Sequence, residues 1–235
     1  MTEVRLEWGV DGVRSLARSS DILVVVDVLS FSTAVDVALG RGGVVYPARW
    51  KDESAKALAE QLGAQLAVNR ANMSPQRPFS LSPVSVMGLP ADARLVLPSP
   101  NGAAAVLAAA ELGVTTLVGC LRNASAVAGA CQLHGKSVAV IAAGERWDND
   151  AIRFAYEDLL GAGAIISRID AACSPEARAA ARVFRSDEAM AELPKCLSAR
   201  ELIEMGFEGD VQMAAQLDVS RVVPIVLGEK IVPHQ

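Results

Sequence analysis

Short apolar runs, each followed by a longer helical pattern, recur along this chain and constrain its fold more than any other feature. Residues 22–29 (ILVVVDVL), 44–47, 66–68, 94–97 (RLVL), 115–118 and 137–142 (SVAVIA) read as strands. Residues 32–41, 52–62, 102–112, 124–133 and 151–160 read as the intervening helices, with Asp52 placed to cap the second and Gly63 to end it. Such alternation predicts an α/β fold: a three-layer α/β/α sandwich with a largely parallel central sheet. The run at 22–29 has the apolar continuity of a strand covered on both faces, so it is expected in the middle of the sheet. Residues 175–217 read as mostly helical, and 222–227 as a last strand held at an edge by Pro224. Residues 69–90, rich in proline and serine, read as a long loop. No repeat or low-complexity linker divides the chain, so residues 1–235 are expected to form a single domain.

Composition removes several classes of function. Lys and Arg number 22 against 27 Asp and Glu, a net charge of −5. This balance disfavours a nucleic-acid partner, and an aromatic content of 4% leaves little for base stacking. The mean hydropathy of +0.30 comes from alanine-rich helices and short strands. No run approaches the ~20 residues of a spanning helix, and the first residues carry charges rather than an apolar signal, so no membrane partner and a cytoplasmic location are expected. The four cysteines form no CxxC pair and read as reduced, packed side chains. Apolar surface on the alanine-rich helices points to a homodimer.

Four strand-to-helix junctions share one design: 27–33 (DVLSFST), 98–102 (PSPNG), 119–125 (GCLRNAS) and 143–150 (AGERWDND). With parallel strands, all four lie at the carboxyl edge of one sheet, where open α/β sheets bind ligands. Each opens a helix whose free N–H groups suit an anion. Ser30, Ser32, Thr33, Ser99, Asn101, Asn123 and Ser125 crowd these turns. One such residue reads as a helix cap, but four polar junctions point to a shared pocket. Asp27 interrupts an apolar strand, and a buried carboxylate needs a partner, hydrogen bonds or a metal. Glu157 and Asp158 are the next candidates, followed by Asp210 and Asp218. The chain has no P-loop, dinucleotide fingerprint or nucleophile elbow, and neither His134 nor His234 lies near a candidate nucleophile. The remaining carboxylates, hydroxyls and helix N-termini suit a Mg²⁺-assisted reaction on a small anionic phosphate ester.

The same junctions resemble the 2-phosphosulfolactate phosphatase family from about residue 22 to 224. The family's Asp-Val-Leu-Arg-Ala-Thr-Thr-Thr is similar to Asp27-Val28-Leu29-Ser30-Phe31-Ser32-Thr33-Ala34. Its Asn-Ser-Pro looks like Asn72-Met73-Ser74-Pro75, and its Thr-Asn-Gly-Thr like Pro100-Asn101-Gly102-Ala103. Its Asn-Ala, Ala-Gly and Glu-Asp motifs resemble Asn123-Ala124, Ala143-Gly144 (with Glu145 following) and Glu157-Asp158. The order and spacing together carry the resemblance.

It implies a magnesium-dependent phosphohydrolase associated with coenzyme M biosynthesis, which converts 2-phosphosulfolactate to sulfolactate and phosphate. Asp27, with Glu157 or Asp158, is then expected to hold Mg²⁺ or orient water. Glu145 or Asp148 is expected as general acid or base, and Arg146 as the group that neutralises developing charge. Ser30, Ser32, Thr33, Asn72, Ser74, Asn101, Gly102 and Asn123 are expected to bind substrate, the helix N-termini at Ser32-Thr33, Gly102 and Ala124 receiving phosphate oxygens. Ser30 stands where the family has Arg, which motivates an alternative: a non-catalytic small-anion-binding protein on the same fold. The loop 69–90 is expected to fold over the anionic end of the substrate. Arg70 or Arg77 would supply the cation absent at Ser30, as an exposed arginine of little consequence for folding.

Overall fold

Each long apolar run becomes a strand whose side chains alternate between two helical layers. In the computed structural model, which describes residues 3–49 and 53–234, the strands are β1 (Glu3–Trp8), β2 (Ile22–Val26), β3 (Val44–Arg49), β4 (Gln65–Leu66), β5 (Arg94–Ser99), β6 (Thr115–Gly119), β7 (Ser137–Ala142), β8 (Glu145–Arg146), β9 (Ile152–Arg153), β10 (Ala172–Cys173), β11 (Pro224–Leu227) and β12 (Lys230–Pro233). The helices are α1 (Gly9–Leu16), α2 (Phe31–Gly40), α3 (Ser54–Leu62), α4 (Pro83–Val86), α5 (Gly102–Glu111), α6 (Ala124–His134), α7 (Tyr156–Ile166), α8 (Pro175–Phe184), α9 (Ala189–Glu192), α10 (Leu197–Glu204) and α11 (Glu208–Ala214). The expected cap Asp52 lies outside the described residues; Gly63 ends α3 in the left-handed conformation, at φ 58°.

All strands except β8 and β9 form one ten-stranded sheet in the order β10-β1-β7-β2-β6-β11-β12-β3-β5-β4. As predicted, β2 is internal and fully buried, paired in parallel with β7 and β6. Its side chains show the two layers. Ile22, Val24 and Val26 enter one core with α6, α7 and α8, while Leu23 and Val25 enter the other with α2 and α5.

The sheet consists of two parallel blocks, β10-β1-β7-β2-β6 and β3-β5-β4, joined by the antiparallel pair β11–β12. Each outer link of that pair is one residue wide: Ile225 opposite Leu117, and Ile231 opposite Val45. Following the pairings from β6 to β3 reverses the strand sense, so a flat sheet would put the carboxyl ends of β2 and β5 on opposite edges. They meet instead, through the Gly102 N–H and the Asp27 carboxylate at 2.8 Å. The sheet therefore does not lie flat between its blocks. The candidate pocket lies where the ends of the two blocks converge, not along one edge of a single parallel sheet.

Other elements depart from expectation for local reasons. Residues 222–227 do not form an edge strand: Pro224 is the first residue of the internal β11, where only Ile225 pairs with β6 and no ladder donor is lost. The helix expected at 151–160 begins at Tyr156, because residues 145–153 fold into the β8–β9 hairpin. The 22–29 strand stops at Val26 because Asp27 turns the chain into α2. Within 69–90, a 3₁₀ turn (Arg70–Asn72) and α4 give the long loop structure of its own. Among the described residues, no helix is long and apolar enough to cross a membrane.

Candidate active site

A cavity of about 250 Å³ opens where β2, β5 and β7 end, walled by Asp27, Ser30, Arg70, Ser99, Asn101 and Glu145 with apolar neighbours. Asp27 is at its base, with only 5% of its surface exposed. One carboxylate oxygen accepts the Phe31 N–H at 3.1 Å, at the start of α2, and the other accepts the Gly102 N–H at 2.8 Å, at the start of α5. Burial pushes its pKa up to about 6; these two hydrogen bonds oppose the rise, and Glu157 adds to it. Glu145 is pushed up to about 7, first by burial and then by the charges of Asp27 and Glu157, while a hydrogen bond from the Asn101 amide at 3.0 Å opposes the shift. Two carboxyl groups, both raised by burial, thus share one cavity, an environment that suits a carboxyl group to carry a proton for general acid chemistry.

The cation comes from the loop. Arg70 Nη2 donates to Ser30 Oγ at 2.8 Å and to Asp210 Oδ2 at 3.1 Å, and its guanidinium lies 5.1 Å over the Phe207 ring. Asp210 also accepts from Ser82 Oγ at 2.6 Å, which clamps the loop onto α11. Arg70 is therefore not a solvated arginine. Its side chain is 19% exposed and that of Asp210 is 1% exposed. Arg70→Ala is expected to weaken substrate binding and, against the expectation for an exposed arginine, to lower stability by about 3 kcal/mol by stranding a buried carboxylate. Parallel KM measurement and thermal denaturation check both effects. Arg77, by contrast, is exposed in a turn with Ser74 and does not line the cavity.

Several other expected residues stand apart from this cavity. Ser32 and Thr33 hold the turn: Ser32 Oγ accepts the Asp27 N–H at 2.9 Å, and Thr33 Oγ1 donates to Val28 O at 2.8 Å. The helix N-termini expected to receive phosphate already carry the protein's own carboxylates. Asp27 occupies those of α2 and α5, and Asp218 accepts the Ser125 N–H in the first turn of α6 at 2.7 Å. Gly102 contributes this N–H and a lack of side chain. Asn123 accepts the Cys120 N–H at 2.9 Å and donates to Val222 O at 3.2 Å, so it fastens the β6–α6 turn to the approach to β11. Asn72 is exposed beside a neighbouring depression, and Ser74 accepts the Arg77 N–H at 3.2 Å.

Asp158 bridges two turns, accepting the Val28 N–H at 2.7 Å and the Gly144 N–H at 2.8 Å, and burial raises its pKa well above the carboxylate range. Glu157 is buried and faces a separate cavity, where the Cys196 thiol donates to it at 3.2 Å. Arg146 lies in the next lobe of the cleft, paired with Asp150 at 3.1 Å, and Asp148 is exposed on the same hairpin.

Arg153 carried no signal in the sequence. It is 8% exposed and makes a two-pronged pair with Glu201 at 2.7 and 2.8 Å, which raises its pKa, and the charges of Glu145 and Glu157 add to the rise. Among the described residues, no three His, Cys, Asp or Glu side chains are grouped as a metal cage.

Comparison with known proteins fits this arrangement. The sequence matches the 2-phosphosulpholactate phosphatase family over residues 11–229. The chain belongs to that family. Similar relatives include the probable 2-phosphosulfolactate phosphatase of Pseudothermotoga lettingae, 27% identical over 90% of this chain and 92% of the relative. The 2-phosphosulfolactate phosphatase of Methanothermobacter thermautotrophicus is 29% identical over 88% of this chain and 87% of its own. The probable 2-phosphosulfolactate phosphatase of Carboxydothermus hydrogenoformans is 30% identical over 86% and 84%. In this member of the family, the cation beside position 30 reaches the cavity from the loop rather than from the first junction.

Proposed function

We propose that this protein is a 2-phosphosulfolactate phosphatase that hydrolyses its substrate to sulfolactate and phosphate. Family membership across residues 11–229 carries the reading. The cavity supports it by combining a paired cation, a buried carboxylate and a raised glutamic acid. Arg70 and the Ser30 hydroxyl bind non-bridging phosphoryl oxygens. Asp27 orients the attacking water. As the water oxygen bonds to phosphorus, the bond from phosphorus to the C2 oxygen breaks and Glu145 gives its proton to that leaving oxygen; the water's two protons stay on the released phosphate, which returns one of them to Glu145. Asn101 fixes Glu145 for the transfer.

Mg²⁺ is part of the proposal, and the donor chemistry fits it. Each oxygen of Asp27 accepts one N–H, which leaves lone pairs towards the cavity. Mg²⁺ is commonly held by one or two carboxylates together with substrate phosphate oxygens, so a three-acid cage is not required. When bound, the ion would supply charge neutralisation at the phosphoryl group. Phosphate release from 2-phosphosulfolactate, measured with Mg²⁺ and with EDTA, is expected only in the first; no release with Mg²⁺ would refute the proposal. The non-catalytic alternative was motivated by Ser30, and the Arg70 guanidinium at that hydroxyl removes its motive. A cytoplasmic location, supported by four free cysteines, and a homodimer, supported by exposed Trp147, Ile152 and Phe154, complete the reading.

A further inference from the structure

We propose that the non-reacting anionic arm of the substrate lies in a second lobe of the cleft, walled by Arg14, Arg49 and Arg146, and that Arg14 and Arg146 set the preference for a substrate carrying a remote sulfonate. The inference rests on the phosphatase reading and adds the place and the residues. The lobe has a volume of about 540 Å³ and adjoins the Asp27 cavity, the hydrogen-bonded pair Asn101 and Glu145 lining both.

Charge distribution assigns the arms. The Asp27 cavity offers one guanidinium, already paired with Asp210, against two carboxyl groups. 2-Phosphosulfolactate carries a phosphate, a carboxylate and a sulfonate, more negative charge than one arginine can balance. The second lobe brings guanidiniums from three separate elements: α1, the end of β3, and β8.

Its acids are Glu145 at the shared wall, with Asp11 and Asp150 at the rim. The arginines are paired only loosely. Arg14 meets Asp11 at 3.4 Å, Arg49 meets Glu111 at 3.1 Å and Arg146 meets the Asp150 carboxylate at 3.1 Å while also donating to the Asp150 carbonyl at 2.9 Å, and all three acid side chains are at least 67% exposed. Exposed pairs of this kind contribute little, so a ligand can replace the acid partner at small cost. The planar donor fork of arginine suits the oxygens of a sulfonate as it does those of a phosphate.

The test is the Arg14→Ala/Arg146→Ala double variant, compared with the wild type on 2-phosphosulfolactate and on 2-phospholactate, which lacks the sulfonate. The ratio of kcat/KM for the sulfonated over the sulfonate-free ester should fall at least tenfold. An unchanged ratio, whether both substrates lose equally or neither does, overturns the proposal. Calorimetric titration with sulfolactate provides a readout independent of turnover. The double variant should bind it at least tenfold more weakly, while its affinity for inorganic phosphate falls less than twofold. If the wild type hydrolyses neither ester, the phosphatase reading fails and the titration decides the lobe: weaker sulfolactate binding by the variant supports it, and equal binding refutes it.

Discussion

Asp27→Asn is expected to lower kcat by about 10²–10³-fold in a protein that remains folded. The carboxylate joins two helix starts and faces the cavity, and an amide of the same size cannot do both. An Asn has one acceptor oxygen, so either the Phe31 or the Gly102 N–H would meet an NH₂ group, at a cost of about 1–3 kcal/mol. Loss of the buried charge works the other way, and its size depends on pH. The folded pKa is raised from 3.8 to about 6. Asp27 therefore contributes stability that is fully present below about pH 4 and lost as pH rises through about 6, an effect of about 3 kcal/mol. Asn does not titrate. In EDTA the variant should be clearly less stable than the wild type at pH 4, and the gap should close by pH 7.5. Denaturant unfolding at the two pH values checks the sign. A gap that widens with pH would show that Asp27 is not held in the environment described.

Gly102→Ala tests the same junction by volume instead of charge. A Cβ added there would lie 2.5 Å from Phe31 Cδ1 and 2.6 Å from Asp27 Oδ2. Neither neighbour can yield freely, because Phe31 is wholly buried in one core layer and Asp27 is tied to two amides. A loss of about 2–4 kcal/mol is expected from overpacking together with the strained hydrogen bond. Turnover should fall at least about tenfold, since displacement of Asp27 disturbs the geometry of the reacting centre. Urea unfolding and phosphate release measure the two effects. An Ala variant with wild-type stability would show that the two strand ends do not pack this tightly.

What the sequence disclosed was local. The ILVVV run places β2 inside the sheet because a strand buried on both faces needs apolar residues at every position. Asp27 was visible as a carboxylate set into that pattern, and Arg70 as a cation near the family's loop motif. The residues filling the helix N-termini were not visible, because Asp27 and Gly102 are 75 positions apart and Asp218 and Ser125 are 93 apart. Polar residues at a helix start look alike in sequence whether they receive a ligand or the protein's own acid. The same holds for Asp158, whose two amide partners come from different strand ends. β1 escaped notice because its alternation of Glu3, Arg5 and Glu7 with Val4 and Leu6 masks a strand with only part of its surface buried.

The β11–β12 pair also bears on how the protein is made. During synthesis, every other strand of the sheet leaves the ribosome before this pair does. Until residues 224–233 emerge, the nascent chain has its two parallel blocks without the strands that join them. The Asp27 and Glu145 side of the cavity belongs to one block, and the Asn101 side to the other. Completion of the sheet thus waits for the last-made pair of strands, and a chain still lacking that pair exposes strand edges open to pairing with another chain.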